Sequence, residues 1–209
     1  RYWGSKHSVT TGDAMLDHLY TVARSGLKGM LGRTGKRDSG IWMYNMEWVR
    51  DDVMVAVGML HAGMYDEAKA ILTKILERSV GVDGRTIESS RWFGFDYTEL
   101  DQNGELLYGV WSYLCWTGDE AFAKKYWKKI ELVADFPLKE IFWDATARMV
   151  HNKREFWERS DSFGVEDGFE LVYQFWVAFG LEKAAEVAER IGKPGPAKRW
   201  RTAAADIRN

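Results

Sequence analysis

Apolar residues recur at helical spacing along almost the whole chain, and most of the stretches they define end at a glycine. Ala14 to Leu31 places Met15, Leu19, Val22 and Ala23 on one stripe, with Asp13 positioned to cap it. Glu47 to Ala62 repeats at Val49, Val53, Val57 and Leu60 and stops at Gly63. Asp66 to Arg78 carries Ala68, Ile71, Leu72, Ile75 and Leu76. A helix from about Asn103 holds Leu106, Leu107, Val110 and Leu114 and closes at Gly118. Asp119 is placed to cap the next, which runs through Phe122, Tyr126, Ile130 and Val133 to just before Pro137. Phe169, Val172, Trp176 and Phe179 predict a further helix ending at Gly180. Ala184, Ala185, Val187, Ala188 and Ile191 predict another, and a last one carries Trp200, Ala204 and Ile207.

Three junctions look alike: "HAGMYDEA", "WTGDEAFA" and "AFGLEKAA". In each, a helix rich in large apolar residues meets a glycine and an amphipathic helix begins almost at once. So short a connection forces antiparallel neighbours. The first helix of each pair is apolar on more than one face, as in "DVMVAVGML" and "LVYQFWVAF", so it is expected inside with its partner outside. The expected architecture is therefore all-α: an α/α toroid of helical hairpins, with residues 1–209 as a single domain. The junctions lie farther apart than the ~34-residue period of tetratricopeptide arrays. The added length falls in long connections rich in aromatic and charged residues, where function tends to sit. A closed ring of such hairpins needs more chain than this, so the toroid is expected to be incomplete. Either self-association or a partner chain would then cover its apolar edge.

Composition removes several classes of function. The net charge is −2 with both signs interspersed, which disfavours nucleic-acid and membrane-surface partners. The single cysteine, Cys115, lies in an apolar run and is expected to be buried and inert. The opening "RYWGSKHSVTTGD" has no apolar core of a signal peptide and no Met, as expected of a processed or truncated piece. His7, His18, His61 and His151 show no metal-ligand spacing, so no metal or other cofactor is expected. There is no phosphate-binding glycine loop and no serine nucleophile elbow. What remains is carboxylates and indoles, and eleven tryptophans are more than core packing calls for.

Three stretches hold that chemistry. "NMEWVRDD" opens a helix, with Asn45 as its expected cap. Its acids either complement the helix dipole or, as Trp48, Arg50 and Asp51 together, stack on a sugar ring and bind its hydroxyls. "ESSRWFGFDYTELDQNGE" carries Glu88, Arg91 and Trp92 as cleft-wall candidates. Within it Asp101 or Asn103 is placed as a helix cap, and for Asp101 that role is favoured over one in a site. "REFWERS" sets Glu158 between Trp157 and Arg159. The indole would raise the carboxyl pKa and the arginines lower it; the alternative is an amphipathic surface turn, with Glu155 as its salt-bridging acid.

Together these stretches resemble the six-hairpin glycosidases, the glucoamylase-like members most of all. "WVRDD" is similar to the Trp-x-Arg-Asp motif opening the second helix of that group. "LDQNGE" is similar to the Leu-Asp-x-x-Gly-Glu motif opening the fourth, and "FWER" to the Trp-Glu motif before the sixth. The resemblance implies an (α/α)6 barrel and an inverting hydrolase cleaving α-glucosidic bonds in oligo- or polysaccharides. It implies Glu158 as general acid, Arg50 and Asp51 gripping the sugar, and Trp48 and Trp157 as walls. Arg159 stands where glucoamylases often have a second Glu. The family's general base lies later than this chain reaches. A non-catalytic carbohydrate- or protein-binding helical module is the alternative. A sugar epimerase or terpenoid cyclase ranks lower, for want of histidine pairs or an aspartate-rich site.

Overall fold

Eight α-helices are seen in the computed structural model, which describes residues 2–38, 47–86, 99–152 and 168–209. They are α1 (Ala14–Gly29), α2 (Val49–His61), α3 (Tyr65–Lys74), α4 (Asp101–Thr117), α5 (Glu120–Lys125), α6 (Trp127–Asp135), α7 (Leu171–Arg190) and α8 (Pro194–Arg208). A π-helical turn, Ile75–Ser79, prolongs α3, and a two-stranded sheet pairs β1 (Trp143–Asp144) with β2 (Met149–Val150).

The inner helices are α2, α4 and α7, with α4 packed between the other two. Each turns back on an outer helix: α2 on α3, α4 on α5 and α6, and α7 on α8. The turns fall at Gly63, Gly118 and Gly192, all with φ between +69° and +78°. A side chain resists that conformation, whereas glycine adopts it freely. The core follows from the pairing. Val53, Leu60, Leu72, Leu106, Val177, Leu181 and Trp200 are all fully buried between inner and outer layers. The chain is an all-α, helical-hairpin arc of toroid type.

Local signals were read correctly where the interaction is local. Asp13 accepts from the amides of Met15 and Leu16, and Asp119 from that of Phe122, each capping its helix as expected. Asn45 lies outside the described residues.

Four expectations are corrected. Gly180 does not end a helix: α7 runs unbroken through it to Arg190, and the true turn is Gly192. Gly180 instead packs on Gly104 of α4. A Cβ on Gly180 would lie 2.4 Å from the Gly104 Cα, and one on Gly104 would lie 1.9 Å from the Trp176 carbonyl oxygen. The two glycines let the inner helices touch backbone to backbone. The stripe on α1 faces outward: Met15, Leu19 and Val22 are exposed, while Leu27 reaches Gly58 of α2. Cys115 is exposed rather than buried, near the C-terminal end of α4. Partial burial still raises its thiol pKa, so it stays protonated at neutral pH. Asp101 is not the N-cap of its helix. It is the first residue of α4, and its carboxylate is taken by Arg50.

α1, α3 and α6 are each followed by a small hairpin, and each hairpin is held by a buried polar side chain in the first turn of the next inner helix. The first two hairpins share one geometry. Gly32 donates to the Lys36 carbonyl and Gly81 to that of Arg85, each at 2.8 Å. Arg37 of the first binds Asp52 of α2 at 2.7 Å, both residues being buried. Asn103 of α4 accepts from Thr86 and donates to the Gly84 and Val133 carbonyls. Gln174 of α7 binds Val150 of the third hairpin. The chain thus leaves every hairpin beside the N-terminal end of an inner helix.

Candidate functional site

The N-terminal ends of α2 and α4 meet through one arginine. Trp48 is the residue before α2, and Arg50 is the second residue within it. The Arg50 guanidinium lies 5.7 Å from the Trp48 ring. Its Nη1 donates to Asp101 Oδ2 at 2.8 Å and to Glu99 Oε2 at 3.1 Å. Glu99 is steadied in turn by Gln102 Nε2 at 2.9 Å. Burial alone would disfavour the Arg50 charge, but Asp101 and Glu99 outweigh it and its pKa rises.

Glu105 follows Asp101 by one helical turn and is buried at 3 % exposure. Its Oε2 has no hydrogen-bond partner, and neither does Asp101 Oδ1. Burial first, then repulsion from Asp101, pushes the Glu105 carboxyl up to about 9 against the pull of Arg50. Asp101 is also raised, since its complete burial outweighs its bond to Arg50. The cluster holds more carboxylates than one guanidinium can balance, and Glu105 carries a proton at neutral pH.

Of the residues expected to form a site, Trp48, Arg50 and Asp51 are brought to this end of the bundle. Arg50 and Asp51 do not point together. Arg50 turns toward α4, while Asp51 is about half exposed and lies 3.9 Å from Arg37 Nη2. The neighbouring Asp52 is buried against Arg37. Glu158, Trp157, Arg159, Arg91 and Trp92 lie outside the described residues. The ends of their connections are described. Thr86 and Glu99 flank one beside α4. Asn152 and Gly168, which exchange two backbone hydrogen bonds, flank the other beside α7.

Sequence reasoning missed Glu99 and Asp101 as the partners of Arg50 and gave Glu105 no role. The available signal was the opposition of "RDD" and "ELD" at equivalent points of successive inner helices. Among the described residues, no group of three His, Cys, Asp or Glu side chains could hold a metal, and no helix is long and apolar enough to cross a membrane.

An arc of parallel inner helices, backed by outer helices and joined by long connections at one end, defines an α/α toroid. Comparison with known proteins agrees. The chain superposes on the crystal structure of a bacterial glucoamylase complexed with acarbose with a TM-score of 0.70, at 19 % identity, over 99 % of this chain and 30 % of that one. Trehalase 1 of Sulfolobus acidocaldarius is 27 % identical over 49 % of this chain and 23 % of its own length. No protein-family profile matches. The fold is that of the six-hairpin glycosidases, and the chain spans less than a third of either similar protein.

Proposed function

We propose that this chain is part of an inverting glycoside hydrolase that cleaves α-glucosidic bonds in oligo- or polysaccharides, with Glu158 as general acid. The observation that carries this reading is where the ends of the connections stand. The one bearing Arg91–Trp92 leaves at Thr86 and returns at Glu99, which binds Arg50, and the one bearing Trp157–Glu158 leaves at Asn152 and returns at Gly168, ahead of the N-terminal end of α7. Likeness to a glucoamylase and a trehalase, both named for hydrolysis of glucosidic bonds, supports the reaction class.

In this reading Trp48 and Trp157 wall the cleft, Arg50 and Asp51 hydrogen-bond the sugar hydroxyls, and Arg91, Trp92 and Arg159 line its flanks. Glu158 protonates the departing glycosidic oxygen. A second carboxylate, about 6.5–9.5 Å from it, activates water on the opposite face. In this reading that base and the remaining hairpins of the ring come from a partner chain or from a longer form of this one. Residues 1–209 make up one continuous section of the toroid. Two uncovered surfaces fit a longer ring: the α1 stripe, and the face of α7 bearing Leu171 and Phe175.

The test is Glu158→Gln in the complete enzyme. Turnover of an unactivated α-glucoside is expected to disappear while acarbose still binds. Hydrolysis near the wild-type rate would exclude Glu158 as the acid.

A further inference from the structure

We propose that Glu99 and Asp101 are positioning residues that fix the Arg50 guanidinium for a sugar in the cleft. The inference rests on the function proposed above and adds to it the groups that aim its sugar-binding arginine.

An arginine side chain has about 2 kcal/mol of rotamer entropy to lose. A binding group that must be ordered by its ligand weakens binding by that loss, so preordering favours affinity. Both carboxylates act on the same nitrogen, Nη1, at 2.8 and 3.1 Å, and both are essentially inaccessible to solvent. Because the guanidinium is planar, fixing Nη1 fixes the directions of Nη2 and Nε as well. Trp48 covers one side of the group. The holding residues are the first residue of α4, Asp101, and Glu99 just before it, and the held one comes from α2, so the aim of Arg50 is set by the packing of two inner helices.

A bare helix staple is the competing account. The α2–α4 contact does not need one. Val53 packs so closely on Gly109 that a Cβ there would lie 2.7 Å from the Val53 Cγ1. Buried ion pairs commonly match apolar packing for stability at best. Here the cluster also holds Glu105, one helical turn from Asp101, whose buried Oε2 has no hydrogen-bond partner. A cluster that costs stability and stands where Glu99, at the end of a long connection, meets the start of α2 is better explained by what it orients.

The experiment compares acarbose binding by calorimetry to the full chain, to Arg50→Ala, to the double variant Glu99→Gln/Asp101→Asn, and to all three changes combined. Thermal unfolding is followed in parallel. The double variant is expected to weaken binding at least tenfold, to about the level of Arg50→Ala. Adding it to Arg50→Ala should weaken binding no further, and Asp101→Glu should restore part of what Asp101→Asn loses. Melting temperature should fall little, since two buried charges leave with the bonds. If Arg50→Ala weakens binding but the double variant does not, or if the effects add, the positioning role is overturned while the cleft stands. Should the wild-type chain fail to bind, or Arg50→Ala bind as the wild type does, the sugar-binding reading of Arg50 falls and this inference with it.

Discussion

The side-chain amide of Gln174 pairs with the main chain of Val150 as a neighbouring strand would. Nε2 donates to the Val150 carbonyl at 2.6 Å, and Oε1 accepts the Val150 amide at 2.9 Å. The bonds join the first turn of α7 to the hairpin from which the Glu158-bearing connection departs. Asn103 and Asp52 do the same work on α4 and α2 with different chemistry.

Gln174→Ala should therefore loosen one corner of the molecule. It leaves a buried amide and a buried carbonyl of Val150 without their partner, at about 1–3 kcal/mol for each group left unsatisfied. The expected result is a melting temperature lower by several degrees and faster hydrogen exchange at the Val150 amide than at core amides of α4. Unchanged exchange at Val150 would show that the hairpin is held by other contacts.

Gly180→Ala tests the closest approach in the fold. The added methyl would fall 2.4 Å from the Gly104 Cα and 2.6 Å from its carbonyl oxygen, which are main-chain atoms with no freedom to rotate away. Helix propensity alone favours alanine by about 1 kcal/mol. Overpacking should outweigh it by moving α7 off α4, at about 1–3 kcal/mol or more. Thermal unfolding should report a net loss of stability, and a gain would mean that the two helices separate without cost.

What could be read from the sequence follows the range of the interactions. The alternation of buried and amphipathic helices and the caps Asp13 and Asp119 depend on residues a few positions apart, so pattern alone reveals them. Gly180 was misread because a glycine closing an apolar run looks the same whether it ends a helix or faces another glycine. Only the placement of Gly104 separates the two cases. Asp101 was read as a cap because its partner, Arg50, is far away along the chain. The matched turns "LGRTGKR" and "VGVDGRT" were visible as text. They carry no apolar period, and their role appears only when Arg37 and Thr86 reach Asp52 and Asn103. For the site, Trp48, Arg50 and Asp51 could be located at a helix start, but the direction of each side chain could not. Burial of Glu105 depends on α4 lying within the bundle, and no local pattern encodes that.

Glu105 yields a pH dependence whose sign is opposite to that of most acids. A glutamate in the unfolded chain titrates near 4.5, whereas burial and the neighbouring Asp101 push Glu105 in the folded chain up to about 9. Between those values the folded state keeps a proton that the unfolded state has lost, so stability drains away as pH rises across the window. Below about 4.5 the group contributes no slope, and above about 9 its full cost has been taken. Glu105→Gln has the shape of the protonated acid and cannot ionise. It should unfold at nearly the wild-type temperature at pH 5, and at a temperature higher by about 5 °C or more at pH 8.5, given the roughly 2–4 °C per kcal/mol expected for a chain of this size. Carboxyl carbon NMR on the wild type should place the Glu105 midpoint far above those of exposed glutamates. A variant less stable than wild type at pH 8.5 would mean that Glu105 is ionised and paired with a cation, which would overturn its assignment as the proton-bearing member of the cluster.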